Sequence, residues 1–185
     1  MLKAYCFLFI LNLIGVKMPV PIISIVSKKN CGKTTLLEKL IPELKQRGYR
    51  VGTIKHDIHG FDIDYEGKDT FRHKSAGADI VAISCPWKVS VIKDVAVELT
   101  PEQIVKHYFE DVDIVLTEGY KRAGLPQIEV FREAAHHRPL NSREQNRRLV
   151  AFVSDVPLDL GVPHIDLNDV DTLADLIENK FLRNS

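Results

Sequence analysis

Pro21 to Val26 is a mostly apolar run, Ser27 to Thr35 is a polar loop closing on Gly32-Lys33-Thr34-Thr35, and Leu36, Leu37, Leu40, Ile41 and Leu44 recur at helical spacing. Strand, loop and amphipathic helix in that order constrain the chain more than any other feature, because this is the context in which a loop cradles a phosphate. Backbone N–H groups of the loop and the first helical turn converge on an anion, and the helix dipole adds about half a positive charge there. Lys33 reaches the outer phosphates, and Thr34 offers its hydroxyl to a magnesium ion bridging phosphate oxygens. Asn30, Cys31, Gly32, Lys33, Thr34 and Thr35 are thus expected to bind a nucleoside triphosphate. The strict loop pattern has glycine where this chain has Ser27. Cys31 reads as a small residue filling a tight turn more than as a reactive thiol.

The chain has 185 residues, 45% of them hydrophobic, which suits one domain with a sizeable core. Twenty-five basic residues balance twenty-five acidic ones, so nothing in the net charge attracts nucleic acid or an anionic membrane. Cys6, Cys31 and Cys85 are odd in number and widely spaced, which argues against a disulfide framework or zinc cluster and fits a reducing cytoplasm. Residues 1–17 read as an N-terminal extension. Ala4 to Val16 is uncharged and mostly apolar, too short to span a bilayer and similar to the apolar region of a signal peptide, yet no small-x-small cleavage pattern follows. Met18 is therefore the expected start, with a genuine extra helix as the alternative, and residues 18–185 form the expected single nucleotide-binding domain.

Downstream, Gly48 is expected to end the first helix, and Pro42 to kink it or break it early. Strands are expected at Arg50 to Lys55, Asp79 to Ser84, Trp87 to Asp94, Asp113 to Thr117, Gln127 to Phe131 and Leu149 to Ser154. Thr100-Pro101-Glu102-Gln103 carries a helix-start signature for a helix to about Glu110, and Asn168 or Asp169 caps a last helix marked by Leu173, Leu176, Ile177 and Phe181. Strands alternating with helices predict an α/β fold, a P-loop NTPase-like three-layer sandwich with a mostly parallel central sheet and the ligand at the strands' carboxyl ends.

Two further constellations bear on the phosphate loop. Glu118 follows the apolar run Asp113 to Thr117, where a carboxylate facing a magnesium shell is needed; Gly119 allows a sharp turn, and Lys121 with Arg122 faces an anionic ligand or partner. Thr53-Ile54-Lys55-His56-Asp57 ends a strand in polar residues: Asp57 is a candidate to approach the magnesium or orient a water, and Lys55 and Lys68 to neutralise phosphate. His56, His59 and His73 admit a zinc reading, but their spacing matches no common structural site, and exposed loop histidines or ligand contacts are the stronger reading. Asp155, after a late strand, offers a carboxylate to guanine N1 and N2 donors or makes an ordinary cap or turn.

Asn30-Cys31-Gly32-Lys33-Thr34-Thr35-Leu36, Thr53 to Asp57, Gly67-Lys68-Asp69-Thr70 with Ala76-Gly77-Ala78, and Glu118-Gly119-Tyr120-Lys121, in that order, resemble the MobB family of molybdopterin-guanine dinucleotide biosynthesis adaptor proteins. The resemblance spans nearly all of Pro19 to Leu182. It implies a GTP-binding accessory protein of molybdenum cofactor biosynthesis with weak GTPase activity, using GTP and Mg2+. It also implies a homodimer working with the guanylyltransferase that joins GMP to molybdopterin and with other molybdenum-cofactor proteins. Carried over by position, Lys33, Thr34 and Thr35 hold phosphate and magnesium, Asp57 and Glu118 sit around the metal, and Lys121 lies near the anionic ligand, so Lys33, Asp57 and Glu118 are the catalytic candidates. The Asn-Lys-x-Asp guanine signature of common GTPases is absent from the sequence. The alternatives are a small-molecule kinase, with Arg138, Arg143, Arg147 and Arg148 as lid arginines, and a nucleotide-sensing module without turnover.

Overall fold

The computed structural model describes residues 19–141 and 147–183; the expectations for the N-terminal extension, for a start at Met18 and for Arg143 lie outside them. The described residues divide into two compact units, one running up to His56 and resuming at Pro101, the other spanning Asp57–Thr100.

In the first unit six strands form one sheet in the order β2-β5-β1-β6-β7-β8, and every pairing in it is parallel. The strands are β1 (Ile22–Val26), β2 (Val51–Lys55), β5 (Ile114–Glu118), β6 (Gln127–Phe131), β7 (Leu149–Ser154) and β8 (His164–Ile165). Parallel strands buried on both faces read as apolar runs, which is why β7 begins and ends where the sequence predicts; β6 does so too, with Glu129 buried among its apolar residues. Side chains alternate across the pleat. Ile23, Ile25, Ile114, Leu116, Ile128, Val130, Ala151 and Val153 share one face, packed against Leu36, Leu40 and Leu44 of helix α1 (Lys33–Gln46) and Leu173 and Ile177 of α4 (Val170–Ile177). On the opposite face Phe109, just beyond α3 (Pro101–Tyr108), lies so close to Gly52 that a Cβ there would come within 2.4 Å of its ring.

Pro42 neither shortens nor breaks α1, which runs unbroken from Lys33 to Gln46. The carbonyl that Pro42 cannot serve belongs to exposed Glu38, on the solvent side of the helix, where an unpaired carbonyl costs little. The helix ends as Gly48 predicts: with φ 93° this residue donates to Lys45 O (3.0 Å) while Tyr49 N–H donates to Leu44 O (3.1 Å), satisfying the last carbonyls. Helix α3 stops at Tyr108, two residues short of the expected end. Helix α4 is capped by Asp169, whose side chain accepts from Thr172 N–H, and then widens into a π turn over Glu178–Leu182 that the sequence did not announce. There Arg183 N–H reaches Glu178 O, while the Glu178 carboxylate accepts from Tyr49 and from Arg47 and Arg183.

The second unit is built on β3 (Ile80–Cys85) and β4 (Lys88–Lys93), an antiparallel hairpin with Pro86 and Trp87 at its turn, preceded by α2 (Asp69–Ser75). The Lys74 ammonium donates to Ala78 O at 2.8 Å and pairs with the Asp94 carboxylate. No helix among the described residues is long and apolar enough to cross a membrane.

Candidate functional site

The loop Ser27–Gly32 leaves the carboxyl end of β1, with β5 on one side of that strand and β6 on the other. Its two left-handed residues are Asn30 (φ 60°) and Gly32 (φ 92°). Ser27 is not among them, so the position where the strict pattern has glycine asks for no unusual backbone, and serine fits it. The Ser27 side chain is buried; its hydroxyl donates to Lys28 O (2.5 Å) and accepts from the Lys33 ammonium (3.0 Å). Cys31 is 1% exposed, joins the apolar core and donates its thiol to Lys29 O, which makes it a packing residue. Gly32 caps α1 without a side chain, so the first-turn amides of Lys33, Thr34 and Thr35 receive no acceptor from the cap residue, the arrangement in which a helix start can take an anion.

Glu118 continues the face of Ile114 and Leu116, so it points toward the start of α1, where Thr34 Oγ1 donates to its Oε2 at 3.0 Å. A hydroxyl and a carboxylate held together beside an anion cradle are hard oxygen donors suited to a divalent cation that also binds phosphate. The turn after Glu118 is tightly fixed. Ser24 Oγ donates to Gly119 O at 2.7 Å, leaving the Thr117 hydroxyl to donate to Ser24 at 2.9 Å; Gly119 N–H reaches Ile25 O. Gly119 has φ 109°, and a Cβ on it would stand 3.2 Å from His56 Cβ. Tyr120, itself at φ 50°, stacks on the His56 ring with centroids 4.3 Å apart. His56 is thus engaged in a ring stack, and among the described residues no three His, Cys, Asp or Glu side chains gather to hold a metal alone.

Lys121 follows. Its ammonium is held below the ordinary lysine range, first by partial desolvation against protein atoms and second by the charge of Lys33, with Glu129 pulling the other way. Two ammoniums close enough to repel mark a place that favours an anion. Lys55, the last residue of β2, is exposed and opposite Glu118 in register. Asp57 opens the second unit, where its Oδ1 accepts from His59 N–H (2.9 Å) in a tight turn. Lys68 and Thr70 line a cavity of about 270 Å3 in that unit, together with Tyr65, Val81 and Ile92. Asp155 stands at the carboxyl end of β7 and accepts the Glu133 N–H at 3.0 Å, so one of its oxygens fixes the turn after β6. Arg138 gives its carbonyl to the Lys28 ammonium at 2.9 Å.

Sequence reasoning missed three residues on the β6 side. Glu129 is a buried carboxylate inside an apolar strand, accepting the N–H groups of Leu140 and Asn141. Burial raises its proton affinity, while those two donors pull it back. A charge within Gln127-Ile128-Glu129-Val130-Phe131 is itself the signal, because a buried charge needs partners. His136 Nε2 meets Lys29 O at 2.7 Å, and Arg132 Nη2 lies 3.7 Å from where a Cβ on Gly32 would be; a single histidine or arginine after a strand carries no sequence signal of its own.

A family model described as molybdopterin guanine dinucleotide synthesis protein B matches residues 22–155. A molybdopterin-guanine dinucleotide biosynthesis adapter protein of Escherichia coli is 38% identical over 164 residues, covering 87% of this chain and 93% of that one. Its counterpart of Haemophilus influenzae is 34% identical over 161 residues, covering 86% and 89%. Among solved structures, one of molybdopterin-guanine biosynthesis protein B superposes with a TM-score of 0.64 at 29% identity over 85% of this chain and 97% of that one. Bacillus subtilis MobB superposes at 0.65 and 25% identity over 84% and 97%.

Proposed function

Since the chain belongs to the molybdopterin guanine dinucleotide synthesis protein B family, we propose that it is a GTP-binding adapter in molybdopterin-guanine dinucleotide biosynthesis, acting with Mg2+ and hydrolysing GTP slowly. The observation that carries the nucleotide part is the uncapped start of α1 with the Thr34–Glu118 pair beside it. Lys33, Lys121 and the amides of residues 30–35 bind the phosphates, with Lys55 adding positive charge at the same sheet edge. Magnesium is held by Thr34 and approached by Glu118. Asp155 is the candidate for the guanine N1 and N2 donors. The adapter works on the guanylyltransferase that attaches GMP to molybdopterin, alongside other molybdenum-cofactor proteins.

It works as a homodimer. Trp87, Val89 and Ile83 of the hairpin are 82%, 66% and 61% exposed, and a two-stranded ribbon is only marginally stable without a covering partner. A second copy of the chain is that cover. The expected result is that GTP displaces ATP in competition titrations with Mg2+, that added protein raises guanylyltransferase output, and that sedimentation gives about twice 21.0 kDa. No nucleotide binding, or rapid phosphorylation of a small acceptor, overturns the reading.

Glu118→Gln keeps the side chain's shape and removes its charge. The magnesium concentration that half-saturates GTP binding is expected to rise about tenfold, the scale of one charge-assisted contact, while metal-free GTP affinity changes less than about threefold. Equal loss with and without magnesium removes Glu118 from the metal.

A further inference from the structure

The phosphate loop is flanked unequally. On the β5 side stand Glu118 and Thr34, an acidic and a hydroxyl group; on the β6 side stands Arg132, the first residue beyond the buried Phe131. A Cβ on Gly32 would meet Arg132 Nη2 at 3.7 Å, so the guanidinium rests against the residue that opens the anion-binding turn. Among the described residues this guanidinium makes no ion pair. The buried carboxylate on the same strand, Glu129, is committed to the N–H groups of Leu140 and Asn141.

Arg132 is also held in place by its backbone. Its carbonyl accepts from Ala135 N–H (3.0 Å) and His136 N–H (3.2 Å), a tight turn, and Asp155 takes the next N–H, that of Glu133. Two cross-links then tie the segment to the loop itself, His136 Nε2 to Lys29 O and the Lys28 ammonium to Arg138 O. A guanidinium carried by this fixed segment adds positive charge next to the turn that bears Lys28 and Lys33, where Glu129 is the neighbouring carboxylate and is committed to backbone N–H groups. That arrangement favours a polyanion whose outer end reaches past the lysine.

The geometry points to Arg132 as a phosphate-binding residue supplied in cis, contacting the terminal phosphate of the bound nucleotide and setting the preference for triphosphate over diphosphate. This inference rests on the nucleotide reading above and names a residue for it. The planar fork of arginine suits two phosphate oxygens at once, which an ammonium does not match.

Calorimetric titration of wild type, Arg132→Ala and Arg132→Lys with GTP and with GDP, both with Mg2+, tests it. Arg132→Ala is expected to lose about tenfold to a hundredfold in GTP affinity and less than about threefold in GDP affinity, with Arg132→Lys in between. The thermal midpoint should stay within about 2 °C of wild type, because an exposed side chain without a partner contributes little to folding. Should the alanine variant be less stable, the lysine variant decides by the same ratio: full GTP affinity in a folded Arg132→Lys protein, or equal losses for GTP and GDP in either variant, overturns the assignment. Wild type that binds GTP, with unchanged affinity in Arg132→Ala, overturns this inference alone; wild type that binds neither nucleotide overturns it together with the reading beneath it.

Discussion

Lys33→Ala is expected to lower triphosphate affinity by about 30-fold to a few thousandfold, the 2–5 kcal/mol that follows from truncating one partner of a desolvated charge pair. The fold should not suffer, because the Lys33 ammonium rests on a single hydroxyl, that of Ser27, and belongs to no ion pair among the described residues. Lys121 limits the loss. Its proton affinity is depressed first by partial desolvation and second by the Lys33 charge, so removing that charge moves Lys121 back toward its ordinary range and keeps it cationic at the site. Calorimetry at neutral pH with GTP and Mg2+ reads the effect, and an unchanged dissociation constant removes Lys33 from the phosphates. The double variant Lys33→Ala with Lys121→Ala should lose more than the two single losses combined, since each lysine partly stands in for the other.

How far the chain could be read in advance follows from which residues carry local signals. A strand buried on both faces leaves an apolar run, hence the correct limits of β7, and of β6 around its apolar Ile128, Val130 and Phe131, and Gly48 marks a helix end because the left-handed turn there suits it. The strand, turn and helix around Gly32 were legible for the same reason, since all three signals are local. Pro42 misled because a proline's effect depends on whether the orphaned carbonyl reaches water, and that depends on which face of α1 is exposed. The π turn at Glu178–Leu182 was invisible because Arg47 and Tyr49, which meet Glu178 there, lie some 130 residues earlier in the chain. Glu129, Arg132 and His136 were missed likewise. Glu129 takes its meaning from a bond to Leu140 in the loop beyond the strand, while the approach of Arg132 to Gly32 and the bond of His136 to Lys29 arise because the parallel pairing of β1 with β6 brings those segments together.

Phe152→Ala is the second large effect expected, about 3–5 kcal/mol of lost stability, because a fully buried aromatic leaves both its transfer energy and a cavity behind. Phe152 sits in β7 on the face away from α1, its ring 5.9 Å from that of Phe131 and 6.2 Å from that of His164. For a chain of this size the loss corresponds to a melting temperature lower by about 6–20 °C, read by calorimetry or circular dichroism. The consequence extends past stability. Phe131 is the residue from which Arg132 departs, and His164 holds the Ser154 hydroxyl beside Asp155, so the cavity lies under the turn after β6 that meets the loop and under the turn after β7 that braces it through Asp155. The variant should therefore lose GTP affinity more than GDP affinity even at temperatures where it is fully folded, echoing Arg132→Ala in kind. A drop in melting temperature with the GTP to GDP ratio unchanged would mean that the turn after β6 keeps its shape without the ring beneath it.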